Sequence, residues 1–113
     1  MGNKEENELR IRAKQYLPAE IQGLAQRHGF RYQQIKIRKS KTRWGSCSSK
    51  GVINLSFYLM LLPSHLIEYV LLHELCHTVE MNHSAAFWSL LDSHTQGRSK
   101  ILRKELRQYH IPR

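Results

Sequence analysis

Apolar positions recur with two different periods along this chain, and the change of period divides it into elements. From Glu5 to His28 the repeating positions are Leu9, Arg12, Ala13, Tyr16 and Leu17, then Ile21, Leu24 and Ala25, three or four residues apart, which is the spacing of one helix face. Pro18 removes a helical hydrogen bond and predicts a kink or two abutting helices, and Gly29 predicts a stop. The period then falls to two. In Ile35-Lys36-Ile37-Arg38 isoleucines and cations alternate, Thr42 to Cys47 is a second candidate strand, and Ile53, Leu55 and Phe57 alternate with Asn54 and Ser56. Ser48 to Gly51 is turn chemistry, so a small antiparallel sheet with at least one hairpin is expected.

The helical period returns at Pro63 and Ser64, which suit a first turn and a cap, and runs to about Glu80. Leu66, Ile67, Val70, Leu71, Leu72, Leu75 and Val79 cover most of its circumference, which predicts a central, buried helix. A shorter helix is expected from Ser84 to Asp92, broken by Gly97. A last amphipathic helix is expected from Ser99 to about Tyr109, carrying Ile101, Leu102, Leu106 and Tyr109. With no internal repeat, low-complexity segment or linker, residues 1–113 are expected to form one domain of the α+β class, a size ordinary for one core of about 100–150 residues.

Charge changes this picture by its distribution. Lys and Arg number 18 against 9 Asp and Glu, a formal charge of +9. No acidic residue lies between Glu20 and Glu68, a stretch holding Arg27, Arg31, Lys36, Arg38, Lys39, Lys41, Arg43 and Lys50. From Gly51 to Gly97 there is no Lys or Arg, and from Arg98 onward the chain is basic again. Such basic flanks either attract nucleic acid phosphates or simply keep a small protein solvated. No apolar run approaches the ~18 residues of a membrane span, so a membrane partner is not expected. The polar start MGNKEENELR has no signal-type apolar region, and Cys47 and Cys76 are too few for a disulfide scaffold. A reduced cytoplasmic location is therefore expected.

The unbroken acidic middle carries the chemistry. His73 and His77 are four apart on the predicted central helix, so both imidazoles share one face and can bind one ion. Glu74 follows the first histidine and can serve as a base toward water on that ion without ligating it. A third ligand is needed. His83 can return to the ion after a bend past Glu80, Asp92 and Glu105 are fallbacks, and Cys47 is a remoter alternative. Three protein ligands and one open position define a catalytic zinc site. Burying these ionisable groups without a partner would cost several kcal/mol, which a zinc ion offsets. Glu80 lies on the same helix face as His77 and can accept a histidine N–H. Arg43, Tyr58 and His94 are candidate oxyanion donors, while Trp44, Phe87 and Trp88 are either pocket walls or core. His28, His65 and His110 are expected at helix ends or on the surface, and His94, unless it reaches the site, is expected in solvent.

His73-Glu-Leu-Cys-His77, Asn82-His83-Ser84 and Phe87-Trp88, together with Lys41-Thr-Arg-Trp-Gly-Ser-Cys-Ser48 and Ile53-Asn54-Leu55, resemble the YgjP-like zinc metallopeptidases, relatives of the SprT-like and WLM domains. The resemblance covers residues 30 to 92 closely and the N-terminal helix more loosely. It implies zinc held by His73, His77 and His83, with Glu74 as general base, and peptide or protein substrates. It also implies a minimal zincin-like fold: N-terminal helix, small antiparallel sheet, His-Glu-x-x-His motif helix and closing C-terminal helices. Larger metallopeptidases with the same spacing carry Gly three residues after the second histidine; here that residue is Glu80, and no downstream Met-turn is evident. The expected function is zinc-dependent hydrolysis of peptide bonds through a Glu-activated water on the metal, near nucleic acid if the basic flanks bind it. The alternatives are a zinc hydrolase of a non-peptide amide or ester, or a basic nucleic-acid-binding module with structural zinc.

Overall fold

A computed structural model describes residues 1–112. Helix α1 (Asn3–His28) buries Glu6, Leu9, Ala13, Leu17, Ile21, Leu24 and Ala25, the stripe expected from their spacing. It is one continuous helix with Pro18 inside it, rather than two abutting ones. The apolar stripe continues unbroken across the proline, and packing of that stripe against the core outweighs the lost backbone bond.

Three strands follow: β1 (Gln34–Arg38), β2 (Gly45–Cys47) and β3 (Val52–Ser56). The order in space is β1-β3-β2. The hairpin is β2–β3, closed by the turn at Ser48–Gly51, where Gly51 adopts φ 81°. The remaining pair differs from the expected antiparallel arrangement, because β1 runs parallel to β3, pairing Ile35 with Ile53 and Ile37 with Leu55. A parallel pair needs a connection of about a dozen residues, and the stretch 39–51 supplies one that contains β2 itself. Alternation gives no information on strand direction, so this pairing was invisible in the pattern. In β3 the alternation reads out directly: Ile53 and Leu55 are fully buried.

A 3₁₀ turn (Phe57–Leu61) leads to α2 (Ser64–Cys76), the central helix. Leu66, Leu71, Leu75 and Cys76 are fully buried, and each large apolar side chain so buried contributes about 1.5–3 kcal/mol. Pro63, not Ser64, occupies the cap position. The helix ends four residues before the expected Glu80. At that end the Val79 and Glu80 N–H groups both donate to the Cys76 carbonyl, a tightened last turn, and Val79 is exposed. Helices α3 (Ala85–His94) and α4 (Ser99–Leu106) close the fold, with the Ser84 hydroxyl accepting from Phe87 N–H at the start of α3. Of the predicted apolar face of α4, Leu102 is buried and Ile101 is exposed. Asp92 accepts from the hydroxyl and the N–H of Ser99, which ties α3 to α4 and removes Asp92 as a third metal ligand.

Buried Glu6 accepts from the Tyr58 hydroxyl at 2.5 Å and from Lys39 at 2.9 Å, and these two bonds hold its carboxyl below the usual range. This clasp joins α1, the 3₁₀ turn and the loop after β1. It also commits Tyr58 to the core, which excludes it as an oxyanion donor. Among the described residues no helix is long and apolar enough to cross a membrane.

Candidate metal centre and active-site cleft

His73 and His77 stand on consecutive turns at the end of α2, and the chain turns sharply after Cys76. That turn carries His83 back over the helix end. The three Nε2 atoms converge, at 3.2 Å for His73–His77, 3.2 Å for His73–His83 and 3.0 Å for His77–His83. Tetrahedral bonds of about 2.0–2.1 Å require ligand separations of roughly 3.3 Å, so three nitrogens in this arrangement fit a divalent transition ion. No other group of three or more His, Cys, Asp or Glu side chains among the described residues converges in this way.

Two of the three rings, His77 and His83, are braced from behind. The His77 Nδ1–H donates to the Glu80 carbonyl at 3.0 Å, which leaves Nε2 as the free lone pair. Glu80 therefore does accept the histidine proton, but through its backbone rather than its carboxylate. Phe87, fully buried, stacks on His77 at 4.3 Å between centroids, and Trp88 stacks on His83 at 5.6 Å. Arg103 from α4 lies 4.7 Å over the other partner in this series, the Trp88 ring. Phe87 and Trp88 are thus both core and site walls. Burial and the neighbouring imidazoles push His73 down to about 3, and burial likewise lowers His77, so both favour the neutral, ligating form.

Glu74 lies on the next face of α2, buried against the sheet. Burial pushes its carboxyl up to about 8, with the Arg43 guanidinium opposing. Glycine at position 45 makes the approach feasible, since a Cβ there would stand 3.1 Å from Glu74 Cγ and 3.2 Å from its Oε2. Sequence reasoning gave Gly45 no role. The signal was present, because a glycine inside a strand marks a close approach of another group.

Together these residues line a cleft of about 440 Å³ between α2 and β2. Arg43, Gly45, Ser46 and Cys47 form one wall and His73, Glu74, His77 and His83 the other. Cys47 reaches the cleft but lies outside the converging trio. Of the candidate oxyanion donors only Arg43 lines it. His94 lies in a different cavity with His28, the two Nδ1 atoms 3.0 Å apart, and is half-buried rather than exposed. Glu105 is paired with His65 at 2.5 Å and is no ligand of the trio.

A helix bearing two of three converging imidazoles, set beside a sheet edge, defines a small metallopeptidase architecture. Residues 3–109 match the YgjP-like metallopeptidase domain, and the chain belongs to that family. It is a metallopeptidase, and the family implies a metal cofactor. Two solved structures share the fold. The metallopeptidase zymogen abylysin of Pyrococcus abyssi is 22% identical, with TM-score 0.60, over 84% of this chain and 98% of that one. The metallopeptidase zymogen jannalysin of Methanocaldococcus jannaschii is 20% identical, with TM-score 0.67, over 80% and 93%. No curated protein matches the chain.

Proposed function

We propose that the chain is a zinc peptidase in which His73, His77 and His83 hold the ion and Glu74 is the general base. The observation that carries this reading is the convergence of three Nε2 atoms within 3.2 Å beside a buried carboxyl. A zinc ion bound there supplies Lewis-acid polarisation of a carbonyl and acidifies water. Glu74 takes the proton of the attacking water and delivers it to the leaving amine. Arg43 lines the same cleft as Glu74, which supports it as the donor to the developing oxyanion.

Substrate positioning falls to β2, an edge strand. On the side facing β3, the Ser56 N–H donates to the Trp44 carbonyl and the Ser48 N–H donates to the Val52 carbonyl. Antiparallel pairs alternate between bonded and non-bonded, so the peptide groups of Gly45 and Cys47 are directed to the open edge. An extended peptide can pair with them and lie along the cleft.

The test is Glu74→Gln. Zinc stoichiometry stays at that of wild type while cleavage of a mixed peptide library falls by about 10²–10⁴-fold. If the variant cleaves as well as wild type, or if the wild-type protein binds no zinc, the reading is wrong. The exposed cations Lys41 and Arg43 lie in the segment that leads into β2, and exposed Arg38 ends β1 at the opposite side of the sheet. Repeating the assay at rising salt, with and without single-stranded DNA, tests recruitment of nucleic acid by them.

A further inference from the structure

Trp88 touches two of the three converging histidines, and Arg103 touches Trp88. The indole stacks on the His83 ring, 5.6 Å between centroids and 22° between planes, and meets His73 edge-on at 6.0 Å. The Arg103 guanidinium lies 4.7 Å over the same indole. The register of α4 delivers it there. Ser99 is tied to Asp92 of α3 and Leu102 is buried, so Arg103, one turn after Ser99, is carried over the α3 side chain.

His83 needs outside support more than its two companions do. His73 stands on α2 and His77 at its end, so the helix backbone fixes where both rings start. His83 is exposed and belongs to no helix or strand. Its ring must be ordered to complete a site of three nitrogens, and that ordering costs entropy unless the ring is already seated. The seat is the half-buried Trp88, which must itself be kept from changing rotamer.

The charge on Arg103 makes its position informative. A cation near a site for a divalent ion weakens binding by Coulomb repulsion. The charge does reach the site: after burial and the two neighbouring imidazoles, Arg103 is a further cause of the lowered proton affinity of His73. Repulsion and support through Trp88 therefore predict opposite effects of removing this side chain. We propose that Arg103 is a positioning residue of the metal centre, whose guanidinium holds the Trp88 indole against His83 and so keeps the third histidine ready for the ion. The proposal rests on the assignment of His83 as a ligand and adds α4 to the machinery of the site. A planar guanidinium stacks on an indole face, a lysine ammonium is only a point charge over it, and alanine leaves it bare.

Two measurements test this. Zinc affinity is measured by competition with a chelator for wild type, Arg103→Ala, Arg103→Lys and Lys104→Ala, the last a control for loss of an exposed cation on α4. Arg103→Ala binds zinc about tenfold more weakly, Arg103→Lys about threefold more weakly, and Lys104→Ala within about twofold of wild type. Equal or tighter binding by Arg103→Ala overturns the proposal, since repulsion is then the larger effect, and so does an equal loss in Lys104→Ala. The second measurement needs no metal. In the metal-free protein at one fixed pH, the indole displaces the His83 Cε1–H signal upfield in proton NMR, and Trp88→Ala gives its unstacked position. Arg103→Ala moves the signal about half or more of the way to that position. An unmoved signal overturns the proposal. If Arg103→Ala does not fold, Arg103→Met, which keeps an apolar stem without the charge, takes its place in both measurements with the same expected directions. Zinc uptake that survives His83→Ala refutes the ligand assignment, while the ring signal still decides whether Arg103 holds the stack.

Discussion

Two faces of α2 carry histidines in company, and only one has the geometry of a metal site. His73 and His77 face His83, while His65, a turn or more earlier, borders the cavity where His28 meets His94. Both clusters bring ring nitrogens to about 3 Å. In the pair, one shared proton satisfies both Nδ1 atoms, and nothing further is required. In the trio, three Nε2 atoms point at one place, and the outer proton of His77 is already committed to the Glu80 carbonyl. Closeness of histidines is thus a poor criterion. Three lone pairs directed at a common point, with the rings braced from behind, are the stronger one.

The largest expected effect separates the clusters outright. His77→Ala loses the bound metal and brings peptide cleavage to background, whereas His94→Ala retains both and lowers stability by about 1 kcal/mol. Metal analysis and thermal unfolding of the two proteins check this, and metal loss in His94→Ala would erase the distinction.

Next in size is the bracing itself. Trp88→Ala frees His83, which is exposed and outside any helix, and weakens metal affinity by about 10–100-fold, measured by competition with a chelator. The same substitution leaves the His28–His94 pair untouched. Gly45→Ala is gentler on the metal. The new methyl displaces Glu74, so kcat falls by about tenfold or more with unchanged zinc content.

The smallest effect is a pH dependence of the metal-free protein, and it comes from both clusters. His73 at about 3, together with the lowered His77 and His94, binds fewer protons folded than unfolded. Their contribution is present above the unfolded value of about 6.5 and is lost as pH falls below it. Glu74, raised to about 8, works in the opposite sense: it binds more protons folded, so stability declines as pH rises from 4.5 toward 8. Metal-free Glu74→Gln is therefore more stable than wild type at pH 8, by about a few degrees in Tm, with little difference at pH 4.5.

Much of this molecule was legible in one dimension because its signals are local. The 3.6 period located α1, α2 and α4, Gly51 closed the hairpin, and the four-residue spacing of His73 and His77 put both on one helix face. The family motifs extended this to His83 and Glu74. Other features depended on residues distant in sequence. The parallel pairing of β1 with β3 joins segments separated by a third strand. The Glu6–Tyr58–Lys39 clasp spans 52 and 33 positions, and no periodicity marks it. His94, a candidate for the chemistry and expected on the surface, is held by a partner 66 residues away.

The division has a physical cause. Helix and strand periods, turn residues and ligand spacing are properties of a few adjacent dihedrals, so the amino-acid order alone pointed to most of the elements, the candidate ligands and the candidate base. Convergence is a property of packing. That His83 and not Asp92 or Glu105 meets the first two histidines depends on where the chain turns after Cys76 and on what each alternative already bonds. That Arg43 rather than Tyr58 or His94 borders Glu74 depends on how the sheet edge closes against α2. Those outcomes are set by burial and by the pairing of every polar group that folding takes out of water.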